Sequence, residues 1–150
     1  MAQYVQWHTG EEIPYPPPHQ NGDWNTFQQY IARFYTLPAA VAQFNEVLKK
    51  IVVRKNTING ILYREDPTIM AWELANEPRG VNQAAAMLAW IDQTAKLIKS
   101  IDTNHLVTTG AEGYTSSPES SGTDFIDMHS SPAIDYTTAH IWIQNWGWYD

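Results

Sequence analysis

Asp66-Pro67-Thr68-Ile69-Met70-Ala71-Trp72-Glu73-Leu74-Ala75-Asn76-Glu77-Pro78-Arg79 is the stretch that decides the fold of this chain. Pro67 and Pro78 bracket a short, largely apolar run, which reads as a strand buried on both faces rather than as a helix. Alternation along it sets Ala71, Glu73, Ala75 and Glu77 on one face. Glu77 comes last, where Pro78 stops the ladder, and is expected to project just above the sheet interior.

Working outward, residues 82–101 carry Leu88, Ile91, Ala95 and Ile98 at helical spacing, and residues 106–109 form a second short strand ended by Gly110. Strand, helix, strand is the unit of a parallel sheet, so the fold class is α/β. A Gly/Ser/Pro-rich loop from Gly113 to Gly122 and a short helical segment at 123–129 lead to a third strand predicted over 136–142. Upstream, Ile13-Pro14-Tyr15-Pro16-Pro17-Pro18 forbids regular helix or central strand and reads as an extended loop. Asp23 is placed to cap a helix bearing Trp24, Phe27, Ile31 and Phe34. Pro38 begins another, with Val41, Phe44, Leu48 and Ile51 on one face and Lys49, Lys50, Arg54 and Lys55 towards the end where cations suit the helix dipole. Trp7, Tyr15 and Trp24 read as packing residues of this cover.

Composition narrows what such a chain can do. Its 150 residues are 43% hydrophobic and 13% aromatic, enough for a folded unit. No apolar run is long enough to span a bilayer, and the first residues offer neither a basic region nor an apolar stretch of the kind a secretion signal uses. Without cysteine there is no disulfide, thiol nucleophile or thiolate-bound zinc. The net charge of −7 is lopsided: residues 101–150 hold seven acids (Asp102, Glu112, Glu119, Asp124, Asp127, Asp135, Asp150) and no Lys or Arg. That sign repels phosphate backbones, so nucleic acids and anionic membranes are improbable partners.

In parallel α/β folds ligands gather beyond the carboxyl ends of the strands. Here those ends are residues 76–79, 110–113 and 140–142, which should share one rim. Glu77 is the strongest chemical candidate, because a carboxyl partly withdrawn from water suits a general acid. The plainer reading is a strand-to-loop turn with a solvated carboxylate. Glu112 is the other rim carboxylate and reads as a substrate-site or structural group. Glu73, one pleat below Glu77, reads as a buried carboxyl tied to a polar neighbour. Arg79 is expected to orient its loop by pairing with a carboxylate. Trp142, Trp146, Trp148 and Tyr149 crowd one loop, whose aromatic faces either line a ligand cleft or form a small satellite core. His8, His19, His105 and His129 show no metal-site spacing, and no metal or cofactor is expected.

The stretch 66–79 resembles the fourth-strand signature of glycoside hydrolase family 5, specifically its endo-β-1,4-mannanase branch. Ser100-Ile101-Asp102-Thr103-Asn104-His105-Leu106-Val107 with Thr109-Gly110-Ala111-Glu112-Gly113 is similar to the fifth strand, and Ile134-Asp135-Tyr136 with His140-Ile141-Trp142 to the sixth. The resemblance implies residues 1–150 are the central segment of one (β/α)8 catalytic domain, about strands four to six, without strands one to three and seven to eight. It implies a retaining hydrolase of β-1,4-mannans with Glu77 as acid/base and Asn76 at the sugar's 2-hydroxyl side. His140 matches a histidine close to the nucleophile, and Trp142 stands where other members carry tyrosine. Glu112 and Trp146 would contribute to substrate binding. The nucleophile, a strand-seven glutamate, is not in this chain, so the chain alone is expected to be inactive. Secretion and a polysaccharide partner follow from the same resemblance. A β-glucan hydrolase of the family, or a glycan-binding protein without turnover, are the alternative readings.

Overall fold

A computed structural model describes residues 1–18, 22–114, 122–144 and 147–148. Five α-helices and two short strands are seen among them: α1 (Ala2–Thr9), α2 (Trp24–Ala32), α3 (Pro38–Val52), β1 (Ala71–Glu73), α4 (Ala84–Ile101), β2 (Leu106–Thr108) and α5 (Phe125–Met128).

Helix α2 starts where its sequence says it should. The Asp23 carboxylate accepts from the Thr26 backbone N–H and hydroxyl, both at 2.9 Å, satisfying donors that a helix N-terminus otherwise leaves open. A 3₁₀ turn, Arg33–Thr36, tightens its end and turns Phe34 and Tyr35 into the core. Pro38 occupies the first turn of α3, where its missing N–H costs nothing. Helix α4 buries Met87, Trp90, Ile91, Thr94, Ala95 and Ile98, a continuous stripe at helical period.

These helices meet in an aromatic cluster. The Phe34 ring lies edge-on to Trp90, Phe44 and Tyr4 with centroids 5.8, 5.7 and 5.9 Å away. Phe34 is fully buried, so Phe34→Ala is expected to cost about 3–5 kcal/mol, read as a lowered denaturant midpoint at unchanged slope in a polypeptide carrying this chain.

Between the strands α4 makes the crossover, and β1 pairs in parallel with β2 in the register Ala71↔Leu106, Trp72↔Val107, Glu73↔Thr108. The α/β reading therefore holds for this pair. The third expected strand does not form. Residues 135–140 run beside β2, but side chains replace two of the ladder bonds. The Asp135 carboxylate takes the Val107 N–H at 2.7 Å, and the Thr108 hydroxyl donates to the Tyr136 carbonyl at 2.9 Å. Among the described residues, only the Asp135 N–H to Val107 carbonyl and the His140 N–H to Glu112 carbonyl remain as main-chain links.

Other expectations are corrected. Residues 2–9, over which the sequence suggested no element, form a helix closed by Gly10 in the left-handed region at φ 72°. Val5 is its one buried side chain, so the apolar stripe is too thin to see in sequence. Strand β1 is not buried on both faces: Met70 and Glu73 are exposed. Glu73 takes no side-chain hydrogen bond among the described residues, because nothing here covers its face of the two-stranded sheet. Trp7 and Trp24 lie on the surface, about three-fifths exposed, leaning edge-on against Tyr4 and Phe27 respectively. In α3 it is Val52, not Ile51, that is buried.

Candidate active site

The end of β1 and the start of the following loop are fastened to β2 by main-chain bonds that outlast the regular strand. Leu74 N–H donates to Thr108 O at 3.0 Å, and Glu77 N–H to Gly110 O at 2.9 Å. Close approach of these two segments depends on Gly110. A Cβ there would sit 1.8 Å from the Ala75 carbonyl oxygen, and its φ of 76° is in the glycine-favoured region.

Glu77 itself has φ 47°, the left-handed region that a non-glycine residue adopts at a cost. Such geometry persists only where neighbours impose it. The bond to Gly110 fixes its main chain, and His140 fixes its side chain: Nδ1 lies 2.7 Å from Glu77 Oε1. Both groups are part-exposed, at 29% for Glu77 and 24% for His140, so the carboxyl is sheltered yet reachable.

Below this pair lies a second. Arg79 Nη2 donates to Glu112 Oε2 at 2.7 Å, with the Glu112 side chain only 3% exposed. Arg79 thus finds the carboxylate partner its position suggested. The remaining oxygen of Glu112 has no partner among the described residues. Because Glu112 O also accepts the His140 N–H at 2.8 Å, Arg79, Glu112, His140 and Glu77 form one connected chain from loop to loop.

A cavity of about 750 Å³ opens beside this network. Asn76, Glu77 and Arg79 line one wall, and Trp24, Phe27 and Gln28 of α2 line another. Polar groups facing an aromatic wall are the usual make-up of a small-molecule or glycan cleft. The α2 residues were read from sequence as packing, since only their helical period was visible. Trp142 is exposed and makes no ring contact among the described residues. Trp146 and Tyr149 lie outside the described residues, so the proposed aromatic loop is seen only in part. Among the described residues no cluster of three His, Asp or Glu side chains could hold a metal ion.

Comparison with known proteins agrees with this architecture. The family model described as GH family 5 beta-mannosidase-like matches residues 1–150. Mannan endo-1,4-beta-mannosidase 5 of Solanum lycopersicum is 39% identical, covering 97% of this chain and 35% of its own. Mannan endo-1,4-beta-mannosidase 1 of Arabidopsis thaliana is 40% identical over 75% of this chain and 31% of its own. Among solved structures, the family 5 mannosidase of Rhizomucor miehei superposes with a TM-score of 0.82 at 38% identity, and two mutant forms of it with 0.83 at 36% and 37%. Each covers 99% of this chain and 34% of that one. The endo-1,4-beta-mannanase of the same organism superposes at 0.72 with 30% identity, over 87% of this chain and 43% of that one. The chain thus spans about a third of the length of the tomato relative and of the fungal mannosidase. With a mixed α/β architecture that aligns to that third of family 5 barrels, this chain belongs to glycoside hydrolase family 5, in its β-mannosidase-like group.

Proposed function

We propose that this chain supplies the acid/base half of a retaining β-1,4-mannan hydrolase, with Glu77 as the proton donor and acceptor. The observation that carries the reading is the capture of Glu77: left-handed backbone, main chain tied to Gly110, carboxyl on His140, and a cavity alongside. Retention needs two carboxyls about 5–5.5 Å apart, one to protonate the leaving oxygen and one to attack the anomeric carbon. Glu112 is committed to Arg79 and buried, which argues against it as nucleophile and favours a role in holding the rim. By the family resemblance the attacking carboxylate comes from outside these 150 residues, and the chain alone is then inactive.

In this mechanism Glu77 first gives its proton to the departing sugar oxygen, then withdraws one from the water that cleaves the glycosyl-enzyme ester. His140 holds the carboxyl in line through both steps. Asn76, on the same cavity wall, donates to or accepts from the ring hydroxyl next to the anomeric carbon. The exposed Trp142 offers a stacking face for a sugar ring, and the family resemblance assigns Trp146 to substrate binding as well. Mannan rather than a β-glucan is favoured as substrate by the names of the related enzymes, and work on a polysaccharide of that size implies action outside the cell.

A second reading has its own support. The fungal mannosidase superposes better and over more of the chain than the endo-mannanase, 0.83 over 99% against 0.72 over 87%. That favours attack at chain ends. The test is digestion of linear mannan by a full-length polypeptide carrying this chain, followed by NMR of the first anomer formed and chromatography of the products. Retained β-anomer is expected. Mixed oligosaccharides early in the reaction support internal cleavage, and mannose alone supports the end-acting reading. Inverted product, or turnover of cellulose in place of mannan, would overturn the proposal.

A further inference from the structure

At the opposite ends of the strands from Glu77, a buried histidine is surrounded in a way that fixes its charge. Asp102 is 1% exposed and His105 6%. The Asp102 carboxylate accepts from three N–H donors and lies against one ring nitrogen of His105. Trp72 Nε1 at 2.7 Å and His105 Nδ1 at 2.6 Å reach Oδ2, while the main-chain N–H groups of Asn104 at 2.9 Å and His105 at 3.1 Å reach Oδ1. With both oxygens already taking N–H donors from Trp72 and the main chain, this carboxyl is held ionised and presents an acceptor to His105 Nδ1. The other ring nitrogen of His105, Nε2, lies 3.0 Å from the Asp66 main-chain carbonyl, which can only accept. Both ring nitrogens therefore face acceptors, and only the imidazolium can donate from both.

We propose that His105 is a charged latch, a doubly donating imidazolium that ties the segment before β1 to the end of α4, and that it lets go when it loses its proton. The latch gathers three parts of the chain. Asp66 belongs to the segment leading into β1, Asp102 and Lys99 to the end of α4, and Trp72 to β1, with its ring edge-on to the imidazole at 6.1 Å. Asn104 Nδ2 adds a bond to the Arg64 carbonyl at 2.9 Å. On losing a proton the ring keeps one N–H. Either Asp102 or the Asp66 carbonyl then meets a lone pair inside the core, and the segment 63–70 loses its anchor.

Charged groups around the ring are of both signs. Asp102 and Asp66 attract the imidazolium. Lys99 stands nearby, donating to the His105 carbonyl at 3.0 Å, but its own charge is answered by Asp135 at 2.6 Å. Arg64, beside Asn104, is paired with Glu65. Burial works against the charged ring, yet the bonds to Asp102 and the Asp66 carbonyl, with the attraction of both carboxylates, raise His105 above the ordinary histidine value. For Asp102 burial is likewise opposed, and outweighed, by its bonds from Trp72, His105 and the main chain, which hold it below the ordinary carboxylate range. The signs follow. The His105 contribution is complete below about pH 6.5 and is lost as pH rises through the raised folded value. The Asp102 contribution is present above about pH 4 and is lost as pH falls through the depressed one. The latch thus closes in mildly acidic solution and opens on the alkaline side.

The test uses an unaltered full-length polypeptide carrying this chain and needs no activity, so it is independent of the function proposed above. Nitrogen-detected NMR of the histidine rings at about pH 6 should show His105 with both nitrogens protonated. Amide exchange in 63–70, corrected for its intrinsic pH dependence, should speed up roughly tenfold or more between about pH 6 and pH 9, with the α4 core unchanged. In H105Q the same segment should be loose at every pH. A singly protonated His105 at about pH 6, or corrected exchange that stays flat across the range, overturns the proposal.

Discussion

Glu77→Gln in a full-length polypeptide carrying this chain is expected to lower kcat on mannan by roughly 10²–10⁴-fold, with little change in KM. The amide has almost the shape of the carboxyl and can keep a hydrogen bond to His140 Nδ1, which Glu77 Oε1 meets at 2.7 Å. What it lacks is the transferable proton. The loss should therefore depend on the leaving group. Mannosides whose aglycone departs without protonation should suffer far less in the first step than mannan, whose departing sugar oxygen must be protonated. Undiminished mannan cleavage by the variant would refute the acid/base role, and so would an equal loss on both kinds of substrate.

Gly110→Ala should have an effect on stability at least comparable to that of Phe34→Ala. The new methyl would meet the Ala75 carbonyl oxygen at 1.8 Å and the Glu73 side chain at 2.7 Å. The first of these is main chain and cannot swing aside. The φ of 76° adds a penalty of its own. Together they are expected to cost about 3 kcal/mol or more, measured by equilibrium denaturation. Relief requires the strand ends to part, which breaks the Glu77 N–H bond to Gly110 O. Folded variant protein should thus also lose turnover, and an active variant of unchanged stability would show that this approach does not hold Glu77.

What was legible in the sequence follows the strength of local signals. Pro67, Pro78 and the apolar run between them marked β1, and Asp23 and Pro38 marked two helix starts, because capping and proline geometry act within a turn of the chain. Asn76 and Glu77 stood out for their place at a strand end. Helix α1 did not, since one buried valine gives no period. The strand expected at 136–142 was overcalled for a different reason. Its residues look extended, but the bonds that would make it a ladder went to Asp135 and Thr108 side chains. The exposed faces of Glu73 and Met70 and the cavity wall of α2 depend on which distant segments cover them, and that is decided by tertiary packing alone. Contact between His140 and Glu77 joins residues 63 positions apart; its sequence traces were that both sit at the ends of predicted extended runs and that the family resemblance assigns both to the active site.

The substitution of side chains for main chain beside β2 has a wider consequence. A main-chain ladder is indifferent to residue identity, so neighbouring segments can slide by two positions and rebuild it. The pairing of Asp135 with the Val107 N–H and of Thr108 with the Tyr136 carbonyl admits no such slippage, because each bond names its residue. The alignment that brings His140 to Glu77 is thus written partly in two letters, at 108 and 135, beside the main-chain bonds at 135 and 140, and descendants of this sequence that change either should loosen the setting of the proposed proton donor.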